Sequence, residues 1–194
     1  MSDQRSSTKP LLASSKNNSD VYQRQMALFQ LYQHDPTLAL ITDSAEVIGT
    51  DLHDPFRTSV SINEKMQIPF KIGVHKAVGG DHDFPNPGDL LCAALASCFE
   101  STIRMISNRL GIQLTETRIK ATAEVDVRGT LMIDKTIPVG FLSMHVEVVL
   151  VSDNINEKVL NTLLGAAKQS CIIYQTIKQG IPITLHTNFE NIAR

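Results

Sequence analysis

Apolar and polar residues alternate with two different periods along this chain, and the switches between them outline its elements. Residues 1–19 are rich in Ser, Asn and Lys and nearly free of large apolar side chains, which predicts a mobile tail. From Asp20 to His34, Val21, Leu28, Leu31 and Tyr32 recur at helical spacing. Asp20 reads as an N-cap and Asp35-Pro36 as a stop, so a short amphipathic helix is expected. The period then falls to two. Leu38, Leu40 and Thr42 alternate, as do Phe56, Thr58, Val60 and Ile62, and again Ile68, Phe70, Ile72 and Val74. Ser61-Ile62-Asn63-Glu64 reads as the hairpin turn between the last two strands, and Gly79 to Pro87 as a loop.

Asn86-Pro87 has the form of an N-cap followed by Pro at the first helical position, with Gly111 as the stop. Between them Leu90, Leu91, Ala94, Leu95, Cys98, Phe99, Thr102, Ile103, Ile106 and Leu110 form a wide apolar face, which predicts a long, mostly buried helix. Ile119, Ala121, Ala123, Val125 and Val127 alternate with polar partners. Arg128-Gly129-Thr130 breaks that strand, and Leu142 to Leu150 alternate likewise. A second helix is expected near Asn156–Gln169, continuing from Cys171 to Gln179 after a break, with a closing strand over Ile181–Phe189. The order predicts an α+β fold with mostly antiparallel sheet on buried helices. It divides into an N-terminal extension, residues 1–36, and a main domain, residues 37–194.

Composition narrows the function. The 194 residues carry 18 Lys+Arg against 20 Asp+Glu, a net charge of -2, so broad attraction to nucleic acid or an anionic membrane is not expected. Basic residues lack the aromatic interleaving of single-strand binders. The chain start has no apolar signal core, and no uninterrupted apolar run of about 18 residues occurs, so a soluble cytoplasmic protein is expected. Phosphate-cradling glycine motifs and paired Cys/His motifs are missing from the sequence. His75 and His82 beside Asp81 and Asp83 read as a solvated loop, not a metal site, and no cofactor is implied.

The three cysteines carry more information. Three is too few for a disulfide scaffold, and in a reducing compartment disulfides are usually transient and catalytic. Cys98 lies inside the long helix, and Cys171 falls at the end of the second helix. Cys92, six residues before Cys98, is rotated roughly 120° off that face. A lone buried Cys is most often a small hydrophobe, a reading adopted for Cys92 and left open for the other two.

The segment Asn86-Pro87-Gly88-Asp89-Leu90-Leu91-Cys92-Ala93-Ala94-Leu95-Ala96-Ser97-Cys98-Phe99 resembles the N-P-x-x-L-L-x-A-A-x-x-x-C-F signature of the OsmC/Ohr (osmotically inducible / organic hydroperoxide resistance) family. Gln169-Ser170-Cys171-Ile172-Ile173 is similar to that family's second cysteine element. The resemblance spans roughly Ala45 to Glu190, leaving the region before it without a counterpart in the compact members. It implies an intertwined homodimer, with two central buried helices wrapped by sheets from both chains. It also implies thiol-dependent reduction of organic hydroperoxides. Cys98 would be the peroxidatic thiolate, Cys171 the resolving thiol, and a dithiol reductant, lipoyl-type or thioredoxin-like, would restore both.

Such chemistry needs a cation beside Cys98, because an apolar site disfavours the thiolate. Cys98 lies too deep in its helix for the N-terminal dipole, which fades within about one turn. In the family an early Arg serves, and Arg57 is the best match here, with Arg128 and then His75 in reserve. The sequence departs from the resemblance twice. Gly88 stands where the family's peroxidases carry a Glu, and Ile172 where a Pro often follows the second cysteine. Asp89 and Glu100 are the substitute acids to examine, although Glu100 points roughly 160° from Cys98 around the helix. Two alternatives stay open: a protein of the same fold that binds a small molecule or senses redox state without turnover, and a dimeric structural protein with inert thiols.

Overall fold

The computed structural model describes residues 19–49, 51–63, 66, 68–153, 155–187 and 189. The tail expected over residues 1–19 lies outside them except for Ser19, as does Glu64 of the expected hairpin turn. The first helix, α1, spans Asp20–His34, and its N-cap is Ser19 rather than Asp20. The Tyr22 amide donates to Ser19 Oγ at 3.2 Å. The Ser19 hydroxyl in turn donates to the Asn108 carbonyl at 3.4 Å, and Gln25 Nε2 donates to Met105 Sδ at 3.5 Å. These contacts seat α1 on the C-terminal half of the long helix.

The strand expected over Leu38–Thr42 is absent. Pro36–Ala39 forms a single 3₁₀ turn, because Asp35 Oδ1 accepts from the Thr37 amide and pulls the chain into a cap. The first strand is instead β1, Ala45–Val47, followed by β2, Arg57–Ile62, and β3, Ile68–Gly73. They form an antiparallel sheet in the order β1-β2-β3. Thr58, Val60 and Ile62 face Ile72, Phe70 and Ile68 across β2 and β3, and Val47 and Ala45 join the same side through β1. One whole face of this sheet is therefore apolar. The turn is displaced beyond its expected place: Ser61 and Ile62 stay in the strand, Asn63 takes a φ of 60°, and the Met66 amide donates to its carbonyl at 3.0 Å.

The long helix, α2, spans Pro87–Leu110 and ends on Gly111 in the left-handed region. Its burial is narrower than expected: Leu95, Phe99, Thr102, Ile103 and Ser107 are buried, and the remaining apolar face is half-covered. By length and mean hydropathy, 1.4, α2 would qualify to cross a membrane. The Ser97, Ser101 and Thr102 hydroxyls donate to carbonyls one turn back.

Strand β4, Glu116–Glu124, pairs antiparallel with β5, Ser143–Val151. Val125 and Val127 fall outside β4, because Asp126 Oδ1 accepts from the Arg128 amide and starts a four-residue helix, α3, Val127–Thr130. Ile119 opposite Val148, with Val146 and Leu150, packs on the core. Helix α4, Glu157–Ser170, is capped by Asn156, and α5 spans Ile172–Gln179. Phe99, Ile103, Leu163, Ala167 and Cys171 make the central cluster, joining α2 to the α4–α5 junction.

The expected closing strand is also absent, since residues 181–187 have no regular structure. Ile181, Ile183 and Leu185 alternate as a strand would, but no strand among the described residues pairs with them, and Ile183 is 92% exposed.

Ile103 is fully buried, so Ile103→Ala should lower unfolding free energy by about 2–5 kcal/mol in denaturant titration. Lys120→Ala removes only an exposed 3.9 Å ion pair to Glu147 and should change it by less than about 1 kcal/mol.

Candidate active site: the Cys98–Cys171 pair

Helix packing brings two thiols together across 73 residues of sequence. The Cys171 thiol donates a hydrogen bond to Cys98 Sγ at 3.2 Å, and both are free cysteines. Cys98 sits at mid-helix on α2 and lines the central cluster, half-buried. Cys171 is fully buried, at 0% exposure.

The break between α4 and α5 is what aims Cys171. Its ψ of 114° is extended, so it closes α4 with its own amide, bonded to the Ala167 carbonyl, and opens α5 with its side chain. Cys171 Sγ accepts from the Tyr174 amide at 3.4 Å. Burial pushes the Cys171 thiol up from its ordinary value, and this outweighs the pull of the Tyr174 and Ile173 amides. The Tyr174 ring lies 5.7 Å from that of Phe99, closing the apolar side of the pair.

Cys92 stands apart from this contact. It is half-buried, and burial followed by the Asp89 charge pushes its thiol up.

The other residues singled out from the sequence are placed as follows. Arg57, at the start of β2, is held by three carboxylates: Nη1 donates to Asp54 at 3.0 Å, Nε to Asp83 at 2.8 Å, and Nη2 to Asp81. The bonds to Asp83 and then Asp54 raise the Arg57 pKa, and the guanidinium holds Asp83 below the usual carboxylate range. Asp81 and Asp83 belong to the loop before α2, which folds back over the end of β3. Gly80 is required there, because a Cβ would collide with the Val74 carbonyl.

None of the bonds that hold Arg57 reaches a cysteine, and among the described residues Cys98 Sγ has a single hydrogen-bond partner, Cys171. Arg128 forks onto Asp126, with Nε at 3.0 Å. His75 caps a 3₁₀ turn through its Nδ1, and its ring lies 4.6 Å from that of His82. Glu100 accepts from Thr117 Oγ1 and from Arg104 Nε, each at 2.6 Å. Burial raises the Glu100 pKa, but those two donors overcome it and leave it lowered. Its role here is to tie α2 to β4.

Asp89 completes a capping box, its Oδ2 accepting from the Asn86 amide at 2.9 Å while Asn86 Oδ1 accepts from Gly88 and Asp89. It also faces His82 Nε2 at 3.3 Å. A Cβ at position 88 would crowd Asn86 Oδ1 at 2.9 Å and the Phe141 ring at 3.1 Å, so a larger side chain there requires those side chains to shift. The Arg57 carboxylates Asp54, Asp81 and Asp83 were not singled out as acids for it from the sequence. The one available signal was their density on both sides of β2–β3, in Asp51–Asp54 and Asp81–Asp83.

A family model described as OsmC-like protein matches residues 80–186, which include both cysteines and all of α2, α4 and α5. No curated protein matches. Among solved structures, an organic hydroperoxide resistance protein from Legionella pneumophila superposes with a TM-score of 0.55 at 20% identity, over 72% of this chain and 91% of that one. One from Elizabethkingia anophelis gives 0.55 at 21%, over 73% and 91%. An OsmC-like protein from Mycoplasma pneumoniae gives 0.58 at 12%, over 72% and 89%.

In the native protein Cys171 should alkylate more slowly than Cys98 or Cys92, and all three at similar rates once unfolded, as read by peptide mass mapping; a Cys171 that reacts first would contradict its burial. By fold, by both cysteine elements and by the extent of the family match, this chain belongs to the OsmC-like family.

Proposed function

We propose that this protein is a thiol-dependent peroxidase that reduces organic hydroperoxides, with Cys98 as the attacking thiolate and Cys171 as the resolving thiol. The observation that carries the reading is the 3.2 Å contact between two free cysteines, one partly open and one closed off. A thiolate at Cys98 attacks the distal peroxide oxygen. The O–O bond breaks, Cys98 becomes a sulfenic acid, and the alkoxide leaves and takes up a proton from solvent as an alcohol. Cys171 then attacks the sulfenic sulfur and water departs with the Cys171 proton, leaving a disulfide. A dithiol reductant, lipoyl-type or thioredoxin-like, returns both to thiols by exchange. The apolar rings of Phe99 and Tyr174 beside the pair favour alkyl over hydrogen peroxide as substrate.

A homodimer belongs to this reading. The apolar face of the β1-β2-β3 sheet is covered in one chain only at Val60 and Ile72; Val47, Ile62, Ile68 and Phe70 are exposed, and so are Ile181, Ile183 and Leu185. An unpaired strand-like segment and a partly uncovered apolar sheet face are features that a second copy of the chain would cover. We assign Arg57 as the cation that assembly brings to Cys98, oriented by Asp81 and Asp83 in place of the acid that is missing at Gly88.

A second reading keeps the fold without turnover, as a small-molecule binder or redox sensor. The three carboxylates around Arg57 favour it, because they already offset the positive charge that this guanidinium would offer a thiolate.

One equivalent of cumene hydroperoxide added to the reduced protein should remove two thiols per chain within seconds; unchanged thiols after prolonged exposure would contradict the peroxidase. Cys98→Ser should abolish the reaction and Cys92→Ser leave it intact. Arg57→Ala should slow it by about tenfold or more, by withdrawing the charge that favours the thiolate.

A further inference from the structure

Cys171 holds its proton in a position to act before any disulfide forms. We infer that the Cys171 thiol is a hydrogen-bond donor that stabilises the Cys98 thiolate, a catalytic role separate from resolution. The inference deepens the peroxidase reading, but its core concerns only how the charge is shared between two sulfurs.

The geometry sets the direction of the bond. Cys171 Sγ accepts from the Tyr174 amide at 3.4 Å and lies 3.2 Å from Cys98 Sγ. When Cys98 is a thiolate it has no hydrogen of its own, so across this contact the Cys171 thiol is the donor and Cys98 the acceptor, while the Tyr174 amide holds the Cys171 sulfur in place. Burial sets which sulfur carries the charge. Cys171 is wholly enclosed by Phe99, Ile103, Leu163 and Ala167, whereas Cys98 is partly open to solvent. A negative charge is less costly where water or a cation can approach it, so the enclosed Cys171 is the sulfur better placed to hold the proton and to donate it in the bond.

Two opposing effects act on Cys171. The amides of Ile173 and Tyr174 favour a thiolate there, and burial opposes it more strongly. The α5 N-terminus therefore fixes the orientation of the thiol without ionising it.

This arrangement gives the buried member of the pair two successive tasks. With its proton it steadies the nucleophile during peroxide attack. After Cys98 becomes a sulfenic acid, that sulfur no longer carries the charge that held the bond. The Cys171 sulfur is then free to attack it, its proton leaving with the sulfenic oxygen as water.

Serine and alanine separate these tasks. Cys171→Ser keeps a donor and an acceptor for the Tyr174 amide but forms no disulfide; Cys171→Ala removes both. The rate of Cys98 alkylation by iodoacetamide is measured against pH in a Cys92→Ser background, with thermal unfolding of each variant as a control. The Ser variant should keep the parent profile. The Ala variant should shift to higher pH, with an about tenfold slower reaction at neutral pH, the effect of losing one hydrogen bond to a charged group. A first-turnover sulfenic acid assay with cumene hydroperoxide should rank the variants the same way. Equal profiles for parent, Ser and Ala would overturn the donor role, and so would equal slowing in Ser and Ala. Alkylation does not require peroxide chemistry. A parent protein inert to hydroperoxide, yet with the Ala-specific shift, would thus refute the peroxidase and leave the donor intact.

Discussion

The packing of α2 across the α4–α5 junction is the constraint on which the rest depends. Phe99 and Ile103 on α2 interlock with Leu163 and Ala167 on α4, and that contact sets the height of Cys98 against the end of α4. At that height α4 stops. A continuous helix would leave residue 171 on its own helical path; the extended backbone at Cys171 instead turns its side chain back to cap α5 and meet Cys98. One local break in a helix thus turns two distant cysteines into a pair, with core burial fixing the distance between them.

The same packing gives the sulfurs different surroundings. Cys171 is enclosed, and Cys98 is not. The two thiols are therefore distinguished by environment rather than by residue type, which is what the proposed division into nucleophile and resolver requires. The cation proposed for that chemistry is held elsewhere in the chain. Arg57 is fixed by carboxylates from the loop that leads into α2, while the capping box of Asn86 and Asp89 anchors the start of that helix. The loop and the helix start are continuous, so anything that moves Asp81 or Asp83 pulls on the end of the helix that carries Cys98.

Much of this was legible in the sequence. The helices α1, α2, α4 and α5 were readable because their caps and periodicity agree: Asn86-Pro87 and Gly111 bracket α2, and Cys171 marks the break before α5. The strands β2 and β3 were clear from strict alternation. Alternation misled at Leu38–Thr42, where the Asp35 cap prevails, and over residues 181–187, where a strand pattern has no strand beside it among the described residues. The cysteine pair was visible only through the resemblance, since nothing local in either motif encodes a contact across 73 residues. The carboxylates around Arg57 escaped because each lies in a loop, where side-chain direction has no period to read.

The most direct measurement is the yield of alcohol against disulfide after a limiting organic hydroperoxide is added to the reduced protein, with the disulfide located by peptide mapping. The account predicts one alcohol for each Cys98–Cys171 disulfide and no cross-link to Cys92. Alcohol formed without that disulfide, or a cross-link involving Cys92, would contradict it.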